Sequence, residues 1–322
     1  MAVAARGEEW IMDISVIILT KDETLHLGRC LDKLRPLEPR DVFVVDSCST
    51  DGTQEIAKAH GATVIEHKWP GLHSVQFNWA LKNCPIRTEW VLRLDADEYF
   101  LDEAIDSIKK NLPGLPSEVC GVVFARRTIF CGRWVKRGTY PVKLLRLFRR
   151  NAAICEERHM DEHIQLLRGQ SVEFDGDFVD HNLNSLEWWK NKHRGYAKRE
   201  ALDAIDMMNE VRNPHGRHIN IDGQAAEKRA KKYRYYRLPP YFRAVLYFCW
   251  RYFVKGGFLE GRAGFMWNVW QGLWYRCLVD KEILRIEWEA INDMIDQDAI
   301  EESRIMHEPW DEVPEDRCNG TL

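Results

Sequence analysis

Val91-Leu92-Arg93-Leu94-Asp95-Ala96-Asp97-Glu98 is an apolar run that ends abruptly in three carboxylates. It reads as a buried strand that surfaces at a site. Two aspartates one residue apart at a strand's carboxyl end suit a divalent cation, which keeps its other positions for water and phosphate. Alone, an Asp-x-Asp is equally the mark of a solvated turn or a helix cap. Its surroundings decide between these readings.

Upstream, Ile14-Ser15-Val16-Ile17-Ile18-Leu19 is rich in β-branched residues and stops at Thr20-Lys21-Asp22-Glu23, as a first parallel strand does. Leu25, Leu27, Cys30, Leu31 and Leu34 recur at helical spacing until Pro36, and Asp41 to Val45 is a second buried strand that breaks at Asp46 to Thr53. A helix from Thr53 to His60, a Gly61 stop, a strand from Ala62 to Glu66 and a helix from Ser74 to Asn83 extend the pattern. The alternation predicts an α/β fold, a Rossmann-like open, mostly parallel sheet with helices on both faces. Ligands of such sheets sit beyond the carboxyl ends of the strands. The polar clusters 20–23, 46–53 and 95–98 therefore converge on one crevice, which favours a site over an isolated turn. No Gly-x-Gly-x-x-Gly follows the first strand and no Gly-x-x-x-x-Gly-Lys-Ser/Thr occurs, so a metal is the more plausible holder of phosphate.

Ile17-Ile18-Leu19-Thr20-Lys21-Asp22-Glu23, Val45-Asp46-Ser47-Cys48-Ser49-Thr50-Asp51-Gly52-Thr53, Gln76-x-Asn78-x-Ala80-Leu81 and Leu94-Asp95-Ala96-Asp97-Glu98 together resemble glycosyltransferase family 2. More narrowly they resemble its bacterial branch that builds lipopolysaccharide core, capsule and exopolysaccharide. The likeness runs strongly over about residues 12–185 and more loosely to about 285. It implies a GT-A fold, a nucleotide-diphosphate sugar donor and inversion at the anomeric carbon. It further implies that Thr20 and Glu23 line the nucleoside pocket, that Asp46 accepts from the base of a uridine-type nucleotide, and that Asp51 lies near them. Gln76 and Asn78 are further contacts on this reading, although such residues on a helix are also ordinary surface groups. Asp95 contacts ribose or metal, and Asp97 is the direct ligand of Mn2+ or Mg2+.

In the second half, Val119 to Phe130 reads as a strand, and Lys143 to Arg150 alternates charge with apolar side chains. Inverting transfer needs a carboxylate that takes the acceptor hydroxyl's proton. In Arg158-His159-Met160-Asp161-Glu162-His163-Ile164, Asp161 and Glu162 are the only acids in this half packed between two histidines. Family members place the base after the second half's strands, just before a helix, usually as Glu-Asp or His-Glu. The order here favours Glu162 slightly over Asp161, and helix capping is the alternative for both. In Val179-Asp180-His181-Asn182-Leu183-Asn184, His181 resembles the histidine that completes the metal shell in some GT-A enzymes; imidazole suits manganese better than magnesium. Arg146 and Arg149 are candidates to stabilise diphosphate charge, or simply outward groups on an alternating strand.

The 322 residues, 45% hydrophobic, suffice for an ample core without staples. Nine cysteines with no Cys-x-x-Cys pair predict free thiols, hence a reducing compartment. There is no signal pattern and no run of about 18 apolar residues, so the expected location is cytosolic. From Lys190 to Lys255 there are 16 Lys and Arg against 6 Asp and Glu; from Glu287 onward the acids lead 12 to 2. Between about Tyr233 and Trp274, Arg234, Arg237, Arg243, Arg251 and Lys255 accompany Tyr235, Tyr236, Phe242, Trp250, Phe253 and Trp267, as in interfacial helices on an anionic membrane. A helix pair packed on the core or at an oligomer interface would read similarly, and no nucleic-acid module is present.

The expected division is a GT-A domain over 1–185, a helical, aromatic and basic appendage over 186–288, and an acidic, partly disordered tail over 289–322. The expected function is an inverting, metal-dependent transfer from a UDP-sugar to a lipid-linked saccharide, on the inner face of the cell membrane. A sugar nucleotidyltransferase lacks its Gly-rich loop here, and a carbohydrate-binding scaffold of the same fold is the non-enzymatic alternative.

Overall fold

In a computed structural model of the protein, residues 11–158, 160, 162–212 and 223–306 are described. Asp161 and the last part of the acidic tail, 307–322, lie outside the described residues. The first half runs β1 (Met12–Thr20), α1 (Leu27–Leu34), β2 (Pro39–Asp46), α2 (Thr53–Ala59), β3 (Thr63–Glu66), α3 (His73–Asn83) and β4 (Trp90–Asp95). It continues through β5 (Glu98–Phe100), α4 (Asp102–Asn111), β6 (Val119–Phe130), β7 (Arg133–Val135), β8 (Val142–Arg149), β9 (Ala153–Cys155), β10 (Ile164–Leu166) and β11 (Gln170–Asp180).

Eight strands lie in the order β3-β2-β1-β4-β8-β6-β11-β5, and β7 pairs beside β6. The strands β3, β2, β1 and β4 are mutually parallel, as the alternating pattern requires, whereas β8 runs antiparallel to both β4 and β6. Because β1 lies between β2 and β4, the order reverses there and leaves a crevice at the carboxyl ends of β1 and β4, where Leu19 pairs with Asp95.

Side chains alternate across β1 and feed two cores. Ile14, Val16 and Ile18 face α1, α2 and α4 through Leu27, Leu31, Ala57 and Ile105, while Ile17 meets Phe77 of α3 and Cys155 of β9 on the other side. This two-sided cover is the expected GT-A, α/β arrangement. Where β11 crosses the start of α4, Gly176 sits at φ +87, and a Cβ there would lie 2.3 Å from the Ala104 backbone nitrogen, so only glycine fits. All eight cysteines among the described residues are free, in line with the cysteine spacing.

After the sheet the chain turns helical: α5 (Leu186–Arg212), α6 (Gly223–Tyr236), α7 (Phe242–Cys249), a π-helical turn over Trp250–Val254, α8 (Gly261–Trp267), a second such turn over Asn268–Trp274, and α9 (Tyr275–Met306). Ala197, Ala201, Ala204 and Met207 make a small-residue seam on α5, against which Tyr275, Val279 and Ile283 of α9 pack. Glu200 in that seam is buried and accepts from the Tyr275 and Tyr236 hydroxyls and from Arg276. The helix α9 runs unbroken across residue 289, where the sequence suggested a tail begins.

His193 on α5 stacks on Trp189 with ring centroids 3.5 Å apart, and its Nδ1 lies 2.8 Å from the Trp189 carbonyl. Burial, aided by nearby Lys192 and opposed by Glu200, pulls its pKa down to about 4. The unfolded chain takes up that proton near pH 6.5, so stability is complete above 6.5 and falls as pH drops toward 4. Replacing His193→Gln is expected to flatten the fall in melting temperature between pH 6.5 and 4.5, a difference of about 2 kcal/mol at most. Parallel curves for the two proteins would mean that the imidazole is charged in the fold.

Candidate active site

The carboxyl ends of β1 and β4 open into a cleft of about 1980 Å³, walled on one side by the sheet and on the other by α5. Thr20, Glu23, Asp95, Asp97, Glu162 and His181 all line it. These expected site residues are brought together from four separate stretches of chain.

The motif's three acids have different environments. Asp95 leaves 42% of its side chain exposed, with Arg93 at 3.7 Å and Arg146 at 3.9 Å. Burial pushes its pKa up, but the two guanidiniums outweigh this and hold it at about 2. Asp97 keeps one oxygen on the Asn182 amide at 3.1 Å; its carbonyl accepts from the His181 backbone at 3.0 Å and from Arg29. Glu98 is buried, ion-paired with Arg146, and accepts from the Asp95 backbone N–H at 3.2 Å. Burial, with Asp95, Asp180 and Asp97 nearby, pushes its pKa up to about 8 despite Arg146. The site therefore has one firmly ionised carboxylate facing the cleft and a supporting acid behind it.

Glu162 comes from the irregular segment between β9 and β10, with no helix following it, which removes helix capping as its role. Arg93 spans the cleft floor, 3.6 Å from Glu162 and 3.7 Å from Asp95. One guanidinium thus ties the motif to the candidate base. Arg158, near Glu162 in the chain, reaches Asp203 of α5 at 2.8 Å and anchors this segment to the helical appendage.

Four expected nucleotide contacts are not in the cleft. Asp46 is fully buried and accepts from Thr20, from the Ser49 backbone and hydroxyl, and from Gln54, at 2.6–2.9 Å. Burial raises its pKa, but those donors bring it below the usual carboxylate value. Asp51 caps the start of α2 through Thr53 and bonds the Thr24 backbone. Gln76 is buried against Ser47 and His67, and Asn78 clips the Cys155 backbone in both directions at 2.8 and 2.9 Å. Asp46, Gln76 and Asn78 build the walls from within while Asp51 braces its loop at the surface, and every acceptor or amide the four offer already has a partner in the chain. Of the two candidate arginines, Arg146 is at the site, but Arg149 bonds the Val119 and Pro116 carbonyls away from it.

Among the described residues, no three His, Cys, Asp or Glu side chains are gathered as a metal cage, so Asp95, Asp97 and His181 do not close a joint shell. It is the His181 backbone, not its ring, that is held to Asp97. Two hard carboxylates open to a roomy cleft still fit Mg2+ or Mn2+, which are typically bound by one or two carboxylates plus substrate phosphates.

The sequence reading passed over Arg93 and His26, and gave Glu98 no role of its own beyond its place in the motif. Arg93 carried a legible signal, a charge inside an otherwise apolar strand, since such a residue is rarely buried unless paired. His26 is buried; its Nε2 accepts from the Leu183 backbone at 2.9 Å, so its Nδ1 donates to Glu23 at 2.6 Å. It thereby fixes Glu23 against the 181–184 segment, a long-range contact without a local signature.

The pattern of Glycosyl transferase family 2 matches residues 15–175. An uncharacterized glycosyltransferase of Rickettsia prowazekii is 38% identical over 210 residues, covering 62% of this chain and 70% of the relative. One of Rickettsia typhi is 25% identical over 263 residues, or 79% of this chain and 80% of that one. Among solved structures, the mannosyltransferase PcManGT of Pyrobaculum calidifontis, in complex with GDP-Man and Mn2+, overlaps 84% of this chain and 87% of its own at TM-score 0.47 and 15% identity.

Proposed function

Since this chain belongs to glycosyltransferase family 2 and is a glycosyltransferase, we propose that it moves a sugar, with inversion, from a nucleotide-diphosphate donor to a lipid-linked saccharide in cell-surface polysaccharide assembly. The observation that carries this reading is the pairing, across one cleft, of the open Asp95 and Asp97 carboxylates with Glu162, linked through Arg93. Donor and acceptor chemistry would meet between them.

Thr20 and Glu23 would border the nucleoside, and a uridine diphosphate is the donor we favour. A divalent cation held by Asp97 with Asp95 would supply charge neutralisation to the diphosphate. Glu162 would take the proton from the acceptor hydroxyl as its oxygen bonds to the anomeric carbon and the bond to the diphosphate breaks. Arg93 would keep this base and Asp95 at fixed spacing, and Arg146 with Glu98 would brace Asp95 from behind. Slow hydrolysis of a UDP-sugar in Mn2+ without acceptor tests the reading; a panel of nucleotide sugars with none hydrolysed and none bound would overturn it.

The acceptor's lipid calls for a membrane surface, and the helices offer one. No helix among the described residues is long and apolar enough to cross a membrane. Phe242, Val245, Leu246, Trp250, Phe253 and Val254 nevertheless form one exposed stripe at spacings of three and four along α7 and the turn after it. Exposed Arg234, Arg237, Lys255 and Arg262 accompany it in sequence, whereas Arg243 and Arg251, expected outward, are buried on Asp280 and Gln271. The apolar stripe, more than the charge, would hold the enzyme on the inner leaflet. Vesicles containing phosphatidylglycerol are expected to float the wild type, and Phe253→Asp with Val254→Asp to cut partitioning at least ~100-fold with donor hydrolysis intact, since each buried apolar side chain contributes ~1.5–3 kcal/mol. Equal flotation of both proteins would remove this surface from the account.

A further inference from the structure

The cations that line the cleft are mostly committed. Arg93 serves Asp95 and Glu162, Arg146 serves Glu98 and Asp95, Arg126 lies 3.6 Å from Asp180, and Arg158 holds Asp203. Lys192 and Arg199 differ. They line the same cleft from one face of α5, seven residues apart, with no carboxylate in ion-pair contact among the described residues. They lean instead on aromatic rings: the Lys192 ammonium lies 4.6 Å from the Trp188 ring centre, and the Arg199 guanidinium 4.9 Å from that of Tyr196. Such rings orient a cation without neutralising it.

Their position is as telling as their freedom. Lys192 is close enough to Asp97 and Glu23 to feel both charges, and Arg199 and Lys192 both act on His73, which Asp95 and Arg93 also influence. The geometry agrees: both cations line the α5 wall of the cleft that Asp95 and Asp97 also line. A diphosphate that enters beside so many carboxylates needs positive charge that is not already spoken for. When its bond to the sugar breaks, new negative charge develops on the β-phosphate, where pre-positioned cations act most strongly.

We propose that Lys192 and Arg199 form a phosphate-binding pair that reads the β-phosphate of the donor, so that α5, outside the family-matched residues 15–175, completes the active site. This rests on the donor reading above. Titrations of UDP, GDP and their monophosphates in Mn2+ test it on the full chain. Removing both charges as Lys192→Gln with Arg199→Gln is expected to weaken binding of the diphosphate that the wild type prefers at least ~50-fold, and of its monophosphate less than about threefold, because a hydrogen bond to a charged group is worth roughly tenfold or more. The charge-keeping pair Lys192→Arg with Arg199→Lys is expected to stay within about fivefold of wild type, with melting temperatures reporting on folding. Unchanged diphosphate affinity in the Gln pair, or equal losses for diphosphate and monophosphate, would overturn the proposal. A wild type that does not prefer diphosphates at all would instead sink the donor reading.

Discussion

Asp97→Asn is expected to lower sugar transfer by about 10³-fold or more while leaving the melting temperature nearly unchanged. One Asp97 oxygen is held by Asn182 at 3.1 Å, and its backbone carbonyl is held by His181 and Arg29, so an isosteric amide keeps the local frame. What the substitution removes is a negative charge facing the cleft, which a divalent cation needs and which no neighbouring side chain replaces. Steady-state rates against Mn2+ concentration provide the check. Near-normal turnover with an unchanged metal requirement would show that the cation, if any, is held elsewhere.

Glu162→Gln is expected to cost about 10²- to 10⁴-fold in turnover, the usual range for losing a general base, with donor affinity largely preserved. The amide keeps size and polarity beside Arg93, 3.6 Å away in the wild type, but cannot accept the acceptor's proton. Asp161→Asn is the comparison. If that variant alone is inactive, the base is Asp161; if both variants transfer normally, the base lies outside this segment.

The strands were legible because each is a short apolar run with a polar end: Ile14 to Leu19 and Val91 to Asp95 both appear as expected. Their shared end, and with it Thr20, Asp95 and Asp97, followed from the order of strands and helices. The direction of the other polar side chains did not follow. Asp46 and Asp51 resemble Asp95 in sequence, yet their loop turns through Cys48 at φ 60, packs against Asp22 at φ 53, and points its carboxylates into its own backbone and hydroxyls. Positive φ at such residues has no reliable sequence signature.

The appendage shows the same limit on a helix. Arg243 and Arg251 carry the charge of Arg237, but Asp280 on α9 and Gln271 draw them inside, so the outward face is apolar rather than basic. Which face of a helix is buried depends on a partner distant in sequence. The mixed half of the sheet, where β8 inserts antiparallel between β4 and β6 while β11 runs parallel to β6, was likewise a matter of long-range pairing.

The central claim is that the cleft beyond β1 and β4 binds a nucleoside diphosphate through a metal held by the Asp95–Asp97 pair. Calorimetric titration of UDP and GDP into the wild type and Asp97→Asn, with Mn2+ and with a chelator, tests it most directly. The account predicts binding of at least one diphosphate by the wild type in Mn2+ only, with at least a ~100-fold loss in Asp97→Asn. Diphosphate binding of equal strength in both proteins, with or without metal, would contradict it.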